Sequence, residues 1–286
     1  MPALLALMRP HQWVKNLLVL VALLTSHRWG EPEAVLAALR MVLAFCLVAS
    51  AVYAVNDVLD RDADAAHPAK RLRPVARGAV SPAQALLLAA LLLAAGVAIA
   101  WPTGTAALAT LLAYAVVSLA YCLVLKRLLW LDVVALAALY VLRVVAGAHA
   151  IAVVASPWLL AFAGFVFASL ASAKRFADLR TFAGDALPGR AYRRDDAAVV
   201  QAIGVACGAV AVLVLALYAN SADVRMLYTR PQWIWLLCPL LLYWLARMWT
   251  LASRGAVHAD PIVFALRDPA SWAVALGLIA AIALAL

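Results

Sequence analysis

The chain has 286 residues, 68% of them hydrophobic and only 13% charged, with a mean hydropathy of +0.99. An ordinary soluble domain is excluded by those proportions. The net charge of +9 would otherwise suggest nucleic acid, but Lys and Arg collect on the cytoplasmic side of membrane proteins, so no nucleic-acid partner is expected. Apolar runs of about 20 residues recur, the length an α-helix needs to cross a hydrocarbon core of about 30 Å. Alternating ten-residue strands are absent. The expectation is an all-α polytopic integral membrane protein, one domain over residues 1–286.

Taken in chain order, Met1 to Trp13 carries Arg9 and His11 late, without the early basic region of a cleavable signal, and reads as a short interfacial helix. About nine spans follow, near 17–29, 34–55, 83–101, 105–125, 129–150, 158–173, 197–220, 232–252 and 271–286. Ser81-Pro82, Ser156-Pro157 and Asp268-Pro269 each offer an N-cap followed by proline at the first helical position. Trp101-Pro102-Thr103-Gly104 reads as a tight turn. Cys46, Cys122, Cys207 and Cys238 lie in apolar runs without CxxC spacing and read as packing residues. A weak internal duplication is suggested by the two long basic loops, four spans apart, but no residue-level repeat supports it.

Charge predicts the orientation. Arg9 and Lys15 stand at the first span, and Lys and Arg crowd the loops after the second, fourth, sixth and eighth spans, while the alternate side holds only Arg28, Arg40, Arg225 and Arg230. The N-terminus and the basic loops are therefore expected in the cytoplasm, and an odd number of spans puts the C-terminus on the other side of the inner or plasma membrane.

The densest chemistry is Asn56-Asp57-Val58-Leu59-Asp60-Arg61-Asp62-Ala63-Asp64, four of the chain's fourteen acids at the end of an apolar helix. In a continuous helix Asp57, Asp60 and Asp64 share one face and Asp62 points away. Three carboxylates on one face repel unless a cation sits between them, and Mg²⁺ is held by carboxylates together with substrate phosphates. Lys70, Arg71 and Arg73 follow closely enough to take phosphate oxygens, a task suited to guanidinium. A solvated acidic loop beside a lipid-headgroup anchor is the plainer alternative. In the second basic loop Lys174 and Arg175 form another candidate phosphate edge, against the plainer reading of a Lys174–Asp178 ion pair at i, i+4. Arg143 lies deep in a span, where charge is costly and faces a cavity or a partner; Asp132 is three turns earlier on nearly the same face. Tyr53, Asn56, Tyr121 and Lys126 stand at the same membrane edge as candidate supporting groups, with packing or anchoring as their alternative. His67 and His258 lack zinc-ligand spacing and read as non-ligands.

These residues carry a resemblance. The Asn56–Asp64 string is similar to the NDxxDxxxD signature of the UbiA-type intramembrane prenyltransferase superfamily, and the Lys70–Pro74 stretch, Tyr121 with Lys126-Arg127, and the nine-span plan agree with it. Arg9–Asn16, His67–Pro74 and Lys174–Asp178 resemble the decaprenyl-phosphate phosphoribosyltransferase branch. The resemblance implies helices around a central cavity open to the cytosolic side, Mg²⁺ on Asp57, Asp60 and Asp64, and Asp178 as a further catalytic carboxylate. It implies phosphate or substrate contacts from Tyr53, Asn56, Lys70, Arg71, Arg73, Tyr121, Lys126, Arg143, Lys174 and Arg175. The implied reaction moves 5-phosphoribose from phosphoribosyl diphosphate to a polyprenyl phosphate within the lipid bilayer, for cell-envelope synthesis. Aromatic prenyltransferases of the superfamily have a second aspartate-rich motif where this chain has Lys174, Arg175 and a single Asp178. Extra cations there suit substrates with more phosphate groups. The alternatives are transfer of a prenyl group from a prenyl diphosphate to an aromatic or other acceptor, and a membrane transporter. Homo-oligomerisation stays open.

Overall fold

The computed structural model describes residues 3–66, 70–182, 184, 185, 187, 189–257 and 261–286, so His67 and His258 lie outside the described residues. Every regular element among the described residues is helical. The α-helices are α1 (Ala3–Met8), α2 (Val21–Thr25), α3 (Pro32–Leu59), α4 (Arg61–Ala66), α5 (Pro82–Ala100), α6 (Thr105–Leu123), α7 (Leu131–Ala150), α8 (Pro157–Thr181), α9 (Ala197–Ala219), α10 (Ala222–Leu227), α11 (Leu237–Ser253), α12 (Pro261–Arg267) and α13 (Pro269–Ala285). Seven helical stretches are long and apolar enough to span a membrane: Pro32–Leu59, Pro82–Thr103, Thr105–Leu123, Leu131–Ala150, Pro157–Thr181, Arg194–Ala219 and Pro231–Ser253. With the 17-residue α13 and the first helical segment, they correspond to the nine spans expected.

Proline begins five of the α-helices, where its missing N–H costs nothing. At α5 the predicted cap is complete: Ser81 Oγ accepts from the Gln84 N–H (3.2 Å) and Gln84 Oε1 accepts from the Ser81 N–H (3.0 Å). At α8 Ser156 makes no side-chain cap, and Pro157 alone starts the helix. Asp268 caps α13 by accepting from the Ser271 N–H at 2.8 Å, and both of its oxygens accept from Arg247 of α11 at 2.6 and 2.8 Å. Those Arg247 hydrogen bonds hold its carboxyl below the ordinary aspartate range.

The first membrane segment departs from the α-helix expected. Pro10–Leu20 is an 11-residue 3₁₀ helix, followed by the short α2. Such runs seldom exceed three or four residues. Here the tertiary contacts select it, because three residues per turn put Trp13, Asn16 and Val19 on one line. Trp13 Nε1 donates to Ser50 Oγ (3.0 Å), Asn16 Nδ2 donates to Cys46 Sγ (3.3 Å), and Val19 lies against Gly147, where a Cβ would stand 1.9 Å from the Val19 carbonyl oxygen. At about 2.0 Å of rise per 3₁₀ residue, residues 10–25 reach about 30 Å, as far as a 20-residue α-helix.

The described chain divides into two compact units, Met1–Val124 with Leu139–Ala155, and Leu125–Ala138 with Ser156–Leu286. In the first, α3 packs on α5, α6, α1 and the 3₁₀ segment, around Met41, Phe45, Val48, Leu111 and Tyr114. In the second, α9 packs on α8 and α11, and α11 on α13. Gly204 of α9 lets that contact close: a Cβ there would meet the Trp249 ring at 2.3 Å and Ser172 at 2.7 Å. Small residues at such crossings let apolar helices approach closely when lipid offers no hydrophobic drive between them.

Candidate functional site

The acid cluster belongs to the first unit. α3 delivers Asn56 and Asp57 and ends at Leu59, because Asp60 (φ −96°, ψ 8°) leaves helical geometry. Asp64 is therefore presented by the separate α4. Asp57 is 1% exposed and Asp64 3% exposed, while Asp60 is half-buried and Asp62 points to the outside. Arg73, just past the Lys70–Leu72 turn, joins the two buried carboxylates: its Nη1 lies 2.5 Å from Asp64 Oδ2 and 3.3 Å from Asp57 Oδ1. Arg9 also pairs with Asp57, and its guanidinium stands 5.1 Å from the centre of the Tyr53 ring. Two buried carboxylates thus meet two guanidiniums, and their charges balance. Lys70 and Arg71 are exposed. Arg9 is the member that sequence reasoning left out of the site. Its signal was present in the Arg9–Asn16 stretch, and its reach comes from a left-handed backbone (φ 51°) immediately before Pro10.

Arg143 of α7, also in this unit, is 4% exposed. Its Nε donates to Asn16 Oδ1 (2.9 Å), Nη2 to the Tyr114 hydroxyl (2.9 Å) and Nη1 to the Leu139 carbonyl (2.5 Å). The rings of Tyr114 and Tyr140 flank it at 4.6 and 5.4 Å. These three acceptors are neutral, so Arg143 is a buried cation without a carboxylate partner among the described residues.

The second unit holds a network of its own around Asp132, which is 0% exposed at the start of α7. Arg175 of α8, 2% exposed, donates from Nε to Asp132 Oδ2 (2.9 Å) and from Nη1 to Asp178 Oδ2 (2.8 Å). Arg175 Nη2 lies 2.8 Å from the same Asp132 oxygen without satisfying hydrogen-bond geometry. The Tyr192 hydroxyl donates to Asp132 Oδ1 (2.6 Å) and accepts from the Trp130 N–H (3.2 Å). Burial first, then the bond to Asp132, pushes the Tyr192 phenol well above its ordinary pKa, so it remains a donor. Arg190 donates to the Lys126 carbonyl at 3.4 Å and stands 3.8 Å from Asp132.

This geometry changes the reading of the second basic loop. Asp178, its side chain 45% exposed, pairs with Arg175 three residues earlier. Arg175 is committed to two carboxylates, so it positions Asp178. Lys174, Tyr121 and Lys126 are partly buried. Tyr192 sits in a loop without a motif, and only the fold brings it to Asp132.

Known proteins give this arrangement its class. The chain matches the UbiA prenyltransferase family over residues 17–267, and it belongs to that family: it is an integral membrane transferase of the UbiA type. It is 36% identical to protein y4nM of Sinorhizobium fredii over 93% of this chain, and 34% identical to nodulation protein NoeC of Azorhizobium caulinodans over 94% of this chain and 89% of NoeC. Decaprenyl-phosphate phosphoribosyltransferase of Mycolicibacterium smegmatis is 40% identical over 62% of this chain. The matches span about half of y4nM (52%) and 57% of the Mycolicibacterium enzyme. In fold, the chain resembles a UbiA homologue from Archaeoglobus fulgidus solved with GPP and Mg²⁺ (TM-score 0.75, 18% identity, 98% of this chain and 99% of the other).

Proposed function

We propose that this UbiA-family transferase moves 5-phosphoribose from phosphoribosyl diphosphate to a polyprenyl phosphate and releases diphosphate. The observation that carries the choice of donor is the last turn of α8. Where an aromatic prenyltransferase has further aspartates, this chain has one half-exposed carboxylate, Asp178, steadied by the buried Arg175. One carboxylate there suits a ribose hydroxyl or the developing positive charge at the anomeric carbon. The 40% identity to decaprenyl-phosphate phosphoribosyltransferase supports the same choice.

The donor set near Asp57 fits Mg²⁺. Among the described residues no three acids converge into a closed metal cage. Asp57 and Asp64 nevertheless offer buried oxygens bridged by one guanidinium, with Asp60 beside them, and Mg²⁺ is usually held by one or two carboxylates plus substrate phosphates. When bound, Mg²⁺ neutralises the leaving diphosphate. Asn56 and Tyr53 support these carboxylates. Arg9, Arg73, Lys70 and Arg71 supply cationic charge for the phosphate oxygens, and Lys174, Lys126 and Tyr121 serve the remaining phosphate. Arg143 adds a buried positive charge. The bond from the anomeric carbon to diphosphate breaks, and the acceptor's phosphate oxygen, already ionised at neutral pH, forms the new bond. No general base is required.

The test is a choice of label offered to the purified protein in lipid nanodiscs with Mg²⁺. Labelled phosphoribosyl diphosphate with a polyprenyl phosphate is expected to give a labelled lipid, and a chelator to abolish it. Asp57→Asn and Asp64→Asn are each expected to lower the rate about 100-fold or more, while Asp62→Asn leaves it near normal. Label entering product only from a prenyl diphosphate would establish the prenyltransferase reading instead.

A further inference from the structure

The C-terminal ends of α8 and α11 and the N-terminal end of α9 surround a cavity of about 470 Å³ that the proposed reaction does not use. Its walls include Phe176, Arg180, Arg194, Asp195, Gln201 and Ser253. Phe176 and Arg180 are one turn apart on α8 and, at 3.6 residues per turn, face away from Arg175 and Asp178. The cavity is thus distinct from the Asp132 network. Arg180 and Arg194 are exposed, and neither guanidinium has a hydrogen-bond or ion-pair partner among the described residues. Among the described residues Asp195 is the single carboxylate on the wall, so two guanidiniums face one acid.

Its position defines the ligand. All three helices belong to stretches long enough to cross a membrane, so the place where their ends meet is at the level of lipid headgroups. The Arg194–Ala219 stretch has only 22% of its apolar window buried, the least of the seven, and Val205, one turn beyond the cavity-lining Gln201 on the same face of α9, is exposed. A lipid can lay its chains along that face and turn its phosphate inward. We propose that the cavity binds the phosphate of an anionic membrane lipid, held by Arg180 and Arg194, with Gln201 as a neutral donor. Guanidinium forks match phosphate oxygens, and free arginines at the interface attract anionic headgroups. This site is independent of the donor and acceptor assigned above.

The experiment uses the full chain in detergent and follows its unfolding midpoint while phosphatidylglycerol, phosphatidylcholine or glycerol 3-phosphate is added, since a ligand of the folded state raises that midpoint. Phosphatidylglycerol is expected to raise it, and the other two to do so little. In Arg180→Gln/Arg194→Gln the apparent affinity for phosphatidylglycerol is expected to fall about 10- to 30-fold, whereas Arg254→Gln, outside the cavity, retains it. Arg180→Lys/Arg194→Lys controls for folding and is expected to keep part of the response. An unchanged phosphatidylglycerol response in the double Gln variant would overturn the proposal. So would an equal response to glycerol 3-phosphate, which would assign a soluble phosphate, or an equal response to phosphatidylcholine.

Discussion

Asp132 and Arg175 show what a buried charge demands at the scale of one residue. Asp132 is wholly enclosed; Arg175, Tyr192 and the Val133 N–H bond it directly, and Arg190 stands further off at 3.8 Å. Removing one member of such a pair leaves an uncompensated charge, at a cost of about 3–5 kcal/mol, whereas replacing both is often close to neutral. Arg175→Met is therefore expected to destabilise the protein by about that amount, and Asp132→Asn added to it to recover most of the loss, as measured by denaturation in detergent. A double variant as unstable as the single would show that packing, and not charge, is the issue. The sequence offered Lys174 and Arg175 as equals. The helix phase turns Arg175 inward onto Asp132, 43 residues away, a relation that local spacing does not contain. Similarly, Arg9 reaches Asp57 across 48 residues, so the acid cluster was legible as a motif but its neutralising partners were only half legible.

Among the elements, the 3₁₀ segment carries the clearest lesson. Apolar content marked it as a span but left its helical form undetermined. The contacts of Trp13, Asn16 and Val19 with α3 and α7 recur every three residues, and that period is satisfied only by the tighter helix. The register depends on Gly147. Gly147→Ala is expected to cost about 3 kcal/mol or more, because its Cβ would strike the Val19 backbone, which has no rotamer to adjust. Gly164→Ala meets nothing within 4 Å and is expected to be neutral or up to about 1 kcal/mol stabilising. Comparing the two unfolding midpoints separates a steric cost from a general effect of replacing glycine.

For the whole molecule, the distribution of charge makes a topological prediction. If the basic loops face the cytoplasm, cysteines placed at Arg71 and Arg193, in a background without native cysteines, are expected to react with an impermeant maleimide only from the cytoplasmic side. A cysteine at Arg225 is expected to react only from the other side. Labelling of all three from one side would show that α9, the helix between Arg193 and Arg225, does not cross the membrane. Both units contribute long apolar helices with small residues at their crossings. This is how a chain folds when its surroundings are as apolar as its core.

The sequence alone determined that this protein is a bundle of membrane helices, and where most of them begin. In lipid the backbone must satisfy its own hydrogen bonds, so apolar run length and proline at the first helical position leave little choice. It also displayed the UbiA motif, because those acids are neighbours in the chain. Only the tertiary structure decided that Arg9 and Arg73 neutralise Asp57, that Arg175 is enclosed with Asp132 and Tyr192, and that the first span winds as a 3₁₀ helix. Each of these depends on groups distant in the chain, whose energies exist only once burial has removed the water that would otherwise have solvated them.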